Sequence, residues 1–105
     1  MEEIRFSHYG ELREVNATDE ERKMFEILQE MVEEKLELVR KSDNYVTAAI
    51  HDWDFARFKY TPRAKWIAFP TVEVGPPKHR ILAPDDIKGF SDLITESLNV
   101  IRKYI

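Results

Sequence analysis

The apolar residues of this 105-residue chain repeat with two periods, about 3.6 near each end and about 2 in the middle, and the period selects the backbone that can bury them. Near the N-terminal end, Met24, Ile27, Leu28, Met31 and Leu36 share one helical face, and Glu26, Glu30, Glu33, Glu34 and Glu37 share the other. Thr18 and Glu21 have the spacing of a capping box, and Asp19 and Glu20 suit the positive end of a helix dipole, which predicts a helix over residues 18–36. At the other end Pro84-Asp85-Asp86 opens a second helix over 84–105, with Ile87, Phe90, Ile94, Leu98, Ile101 and Ile105 on its apolar stripe.

Between them, residues 37–82 read as β-structure. Tyr45 to His51 is a β-branched and aromatic run that sets Val46, Ala48 and Ile50 on one face. His51-Asp52-Trp53-Asp54 turns the chain. Phe55–Tyr60 and Lys65–Phe69 form a hairpin around Thr61-Pro62-Arg63-Ala64, with proline at the second position of a type I turn. Pairing Tyr60 with Lys65 puts Phe58 opposite Ile67 on an apolar side and leaves Arg57, Lys59 and Trp66 on the other. Gly75-Pro76-Pro77 breaks the pattern as a loop, and Lys78 to Leu82 returns as a short basic strand. Residues 1–17 form an N-terminal arm, with a short edge strand between residues 2 and 9 that aligns Ile4, Phe6 and His8. The expectation is one α+β domain over 1–105, an antiparallel meander of three to five strands packed against two amphipathic helices.

Cysteine is absent, which excludes disulfides, thiolate metal sites and a cysteine nucleophile, so stability rests on the core. Hydrophobic residues at 43% and charged residues at 34% suit a folded chain rather than a disordered one. No apolar run is long enough for a membrane span or a signal peptide, which predicts a cytoplasmic protein without a membrane partner. The net charge of −4 is unevenly spread. Residues 1–40 carry twelve acids and six Lys/Arg, whereas six of the ten bases in 41–105 fall between Arg57 and Arg80.

Three clusters invite a chemical reading. His51, Asp52 and Asp54 could hold a divalent metal in a hydrolase, although a turn scatters such groups and they more often satisfy local amides. Arg57, Lys59 and Lys65, with Lys78 and Arg80, lie near Trp53 and Trp66 and could neutralise phosphates beside stacked bases; Arg63 would extend the patch. The same bases could instead lay their stems over Trp66 with no ligand at all. The acidic face of the first helix could dock on a basic partner, as some phage-encoded inhibitors do, or simply be solvated. Phosphate loops, nucleophile elbows and H-E-x-x-H motifs are absent, so neither a catalytic residue nor a cofactor is expected.

The run from Asn44-Tyr45-Val46 through Asp54-Phe55-Ala56-Arg57-Phe58-Lys59-Tyr60 to Lys65-Trp66-Ile67, followed by the final amphipathic helix, resembles a family of bacterial and phage domains. Members often stand as a C-terminal module behind nuclease or other DNA-processing domains. The resemblance covers about half the chain and implies a binding module, with Arg57, Lys65 and Trp66 as its carried-over binding set. The expected function is therefore non-enzymatic binding of nucleic acid or of a nucleic-acid-processing protein through the basic, aromatic hairpin face. The alternatives are an inhibitor acting through the acidic helix and a metal-dependent hydrolase. Sequence leaves oligomeric state and partner identity open.

Overall fold

The capping box at Thr18 is formed and does more than start a helix. Thr18 Oγ1 accepts the Glu21 N–H at 3.1 Å, and Glu21 Oε1 accepts the Thr18 N–H at 2.8 Å, which satisfies two amides that a helix start leaves unpaired. The same two side chains reach across the fold to Tyr60. Thr18 Oγ1 donates to the Tyr60 carbonyl at 2.9 Å, and the Tyr60 N–H donates to Glu21 Oε2 at 2.9 Å. Arg40 brings Nη2 within 3.7 Å of Glu21 Oε1, and both residues are buried.

The computed structural model describes the backbone of residues 4–6, 17–42 and 44–105, and the side chains of 17–40 and 44–105. In chain order the elements are strand β1 (Ile4–Phe6), helix α1 (Asp19–Met31), strands β2 (Glu37–Ser42), β3 (Tyr45–Ile50), β4 (Trp53–Tyr60), β5 (Lys65–Ala68) and β6 (His79–Arg80), a 3-10 helix (Pro84–Phe90) and helix α2 (Ser91–Arg102). The six strands make one antiparallel sheet whose spatial order is their sequence order. This is the expected α+β fold, with the five strands β2 to β6 as the meander of residues 37–82 and β1 as the separate N-terminal edge strand. Of the edge strand expected over residues 2–9, Ile4–Phe6 is present and pairs with β2; the remainder, with His8, lies outside the described residues.

The hairpin register is the expected one. Tyr60 pairs with Lys65, Phe58 with Ile67 and Lys59 with Trp66. Thr61 and Ala64 exchange backbone hydrogen bonds across the turn, and neither Pro62 nor Arg63 has positive φ, so the primed hairpin turns are excluded. The turn before β4 is shorter than expected. Ile50 already pairs with Trp53, leaving only His51 and Asp52 at the bend, with His51 at φ 54 in the left-handed region where histidine is among the better tolerated residues. A bulge follows. Ala48 pairs with Ala56 while Ala49 pairs with Asp54, so Phe55 is the extra residue, and its carbonyl accepts the Ser97 hydroxyl at 3.2 Å.

Both helices cover the same side of the sheet, and Phe55, Phe58, Phe69, Met24, Leu28 and Ile67 are completely enclosed there. Burial of each phenylalanine contributes about 2 to 3 kcal/mol. Two expected boundaries are corrected. The first helix stops at Met31 rather than at residue 36, because Val32 turns extended and residues 33–36 drop Leu36 into the core, held by Gln29, which donates to the Glu34 carbonyl and accepts the Leu36 N–H. The final helix is not continuous over 84–105. Its first seven residues are a 3-10 helix, Phe90 leaves helical geometry at φ −105 and ψ 24, and Tyr104 and Ile105 end up exposed beyond α2.

The outer side of the sheet is less open than simple alternation predicts. β3 is buried on both faces, since outward-facing Thr47 and Ala49, with neighbouring Val39, are as enclosed as Val46 and Ala48. Among the described residues, solvent therefore meets the outer face mainly toward β4, β5 and β6.

Glu21→Ala removes an acceptor for two backbone amides and one of the groups that surround the buried Arg40 guanidinium, which should cost about 3 kcal/mol. Exposed Glu26→Ala on the same helix should stay within about 0.5 kcal/mol. Urea unfolding of both variants checks the contrast.

Candidate nucleic-acid interface

Cross-strand register builds the site. Lys59, Trp66 and Arg80 are direct neighbours on β4, β5 and β6, so a cation, an indole and a second cation stand in one row, about 4.8 Å apart. Tyr45, at the start of β3, brings its ring to 6.1 Å from Trp66, edge to face. Lys78, in the connection before β6, reaches back so that its ammonium lies 4.9 Å above the Trp66 ring. Trp66 is only 8% exposed. Its ring face is thus already occupied by a lysine.

Two concavities flank this Trp66–Lys78 ridge. The larger, of about 440 Å³, lies at the β5–β6 edge, with Arg63, Lys65, Lys78 and Arg80 around apolar walls that include Pro62 and Leu82. The smaller, of about 250 Å³, is lined by Tyr45, Arg57, Lys59, Trp66 and Pro76. Lys65 faces the opposite side of its strand from Trp66, and its ammonium sits 5.1 Å over the Tyr60 ring, whose hydroxyl donates to the Leu82 carbonyl.

What leaves these cations available is where the nearby acids go. Glu73 is the one acid in the sequence between Arg57 and Arg80, and His79 Nε2 lies 2.9 and 3.1 Å from its two carboxylate oxygens. Asp54 binds Arg57 at 3.0 Å through Nη2, and the Arg57 guanidinium lies 5.3 Å from the Tyr45 ring centroid. Arg57 is therefore partly neutralised. Among the described residues, Lys59, Arg63, Lys65, Lys78 and Arg80 make no ion pair.

Of the seven residues singled out in the sequence, the structure brings Arg57, Lys59, Lys65, Trp66, Lys78 and Arg80 together. Trp53 stands apart. It lies six residues from Lys59 along β4, about 20 Å at the strand rise, and its ring stacks on Tyr104 at 5.2 Å. Arg63 joins the larger concavity, as its place in the turn suggests. Leu82 and Tyr45 were not singled out, and only the register of β6 and the reach of Tyr45 over β4 bring them in.

The other two clusters are altered by the fold. With α1 ending at Met31, Glu33, Glu34 and Glu37 leave the helix, so its acidic face reduces to Glu26 and Glu30 with the first-turn acids. Glu34 instead hydrogen-bonds Arg102, and that contact holds its carboxyl below the usual carboxylate range. His51 and Asp52 are exposed at the β3–β4 bend while Asp54 is engaged by Arg57, and among the described residues no group of three or more His, Asp or Glu is placed to hold a metal ion. Nor is any described helix long and apolar enough to cross a membrane. Compared with protein-family models, curated proteins and solved structures, the chain finds no match.

In a Trp53→Phe background Trp66 is the only indole, and acrylamide should quench it weakly. Adding Lys78→Ala should raise that quenching clearly by uncovering the ring. Equal quenching in both proteins would mean that Lys78 does not lie over Trp66 in solution.

Proposed function

We propose that this chain is a non-enzymatic binding module that holds nucleic acid through the outer faces of β4, β5 and β6. The observation that carries the proposal is a set of cations that, among the described residues, make no ion pair: Lys59, Lys78 and Arg80 beside Trp66 on the outer face, with Arg63 and Lys65 at the adjoining hairpin end, on a chain whose net charge is −4. A chance excess of surface lysine would be offset by the neighbouring acids, but here Glu73 and Asp54 are committed to His79 and Arg57. Grouped cations beside aromatic rings are what phosphate neutralisation requires, with affinity dominated by released counterions.

The resemblance to modules attached to DNA-processing enzymes agrees with this role, and a cytoplasmic location belongs to the same proposal.

Binding of a labelled oligonucleotide, followed by anisotropy against salt, should give a log–log slope that each of Lys59→Ala, Lys65→Ala and Arg80→Ala flattens by about 0.7 to 0.9. Arg57→Ala should flatten it less, since Asp54 already neutralises that charge. Absence of binding at low salt, or a slope indifferent to all four substitutions, would remove the proposal.

A further inference from the structure

Resting on that nucleic-acid function, we infer that the larger concavity takes a single-stranded segment, with phosphates on Arg63, Lys65, Lys78 and Arg80 and a base against the apolar wall made by Leu82 and Pro62. Charge complementarity names the class of partner, and the shape and lining of the recess choose the single-stranded form.

The cations surround a hollow of about 440 Å³ instead of standing on a flat surface. That volume falls in the range of clefts that enclose a small molecule. One nucleotide of a flexible strand can enter it, whereas duplex phosphates project from a rigid convex cylinder and their bases stay inside the stack. The walls point the same way. Leu82 is 73% exposed at the rim of the hollow, beside exposed Pro62, and the core does not need either side chain. A duplex would offer them only sugar edges. A single strand splays its bases and can lay one on an apolar or aromatic surface while its backbone follows the cations.

The position of Leu82 is built in. Its carbonyl accepts the Tyr60 hydroxyl at 2.9 Å and its N–H donates to Asp86 Oδ2 at 2.8 Å. Both bonds use the backbone, so the side chain can be exchanged without losing them. The Trp66 ring is a poorer platform, because Lys78 lies over it. Base contact is accordingly assigned to the Leu82 wall and phosphate contact to Lys78.

The probes are fluorescein-labelled oligothymidylate and the same strand paired with oligoadenylate, each titrated over the same series of salt concentrations into wild-type protein and Leu82→Ser. Wild type should bind the single strand more tightly than the duplex. Leu82→Ser should weaken single-strand binding about fivefold, the low end for a base contact, without changing the salt slope or duplex binding. Circular dichroism and urea unfolding check that the variant remains folded. Duplex binding as tight as single-strand binding, or unchanged single-strand affinity in Leu82→Ser, would overturn the inference and leave the nucleic-acid function standing. Binding of neither probe would remove both.

Discussion

Tyr60 is gripped at both of its backbone polar groups by a helix that begins about forty residues earlier in the chain. Thr18 takes its carbonyl and Glu21 takes its N–H, the same two side chains that cap α1. A local device for starting a helix therefore also fixes where the helix meets the sheet. Because Tyr60 is the last residue of β4, the clip sets the hairpin turn at Thr61–Ala64, and its hydroxyl anchors Leu82 on the far side. The inner core and the outer recess are joined through one residue. Glu21 can be buried there because two amides and Arg40 surround its carboxylate, so the cost of taking the charge out of water is offset by directed partners.

The outer face depends on a second arrangement, the removal of acids from the neighbourhood of the cations. His79 holds Glu73 on the core side of β6, and Asp54 is drawn to Arg57. The Arg57–Asp54 contact exists only because of the bulge. Residues three apart in a regular strand point to opposite faces, and the extra residue at Phe55 brings these two onto the same side. The bulge thus commits Arg57, whereas Lys59, Lys78 and Arg80 on the same face make no ion pair among the described residues. Toward β2 the outer face closes over Thr47, Ala49 and Val39, so that among the described residues its unpaired cations lie in the β4–β6 half.

Much of this was legible in the chain, where the determinants are local. Thr18 and Glu21 announce their cap by spacing alone, and Pro62 with the flanking alternation sets the register of the β4–β5 hairpin. Lys59 and Trp66 follow as outward neighbours from that register. What stayed hidden depends on distant partners. No glycine or proline marks the end of α1 at Met31; the helix stops because Val32 and Leu36 find better burial in an extended segment braced by Gln29. Trp53 reads as part of the aromatic cluster in one dimension, yet the tight bend at His51 and Asp52 sets it at the far end of β4, against Tyr104. Which cations are free is likewise invisible in the sequence, because Glu73 and Asp54 are recruited only after the strands pair.

The central claim is that the face around Trp66 and Lys78 is where a polyanion sits, and two-dimensional NMR of the labelled protein during titration with oligothymidylate tests it most directly. Amide shifts should concentrate on residues 59 to 66 and 78 to 82, with little change on α1 or around Trp53 and Tyr104. Shifts clustered on α1 or at the Trp53 end, or a spectrum unmoved at low salt, would contradict it.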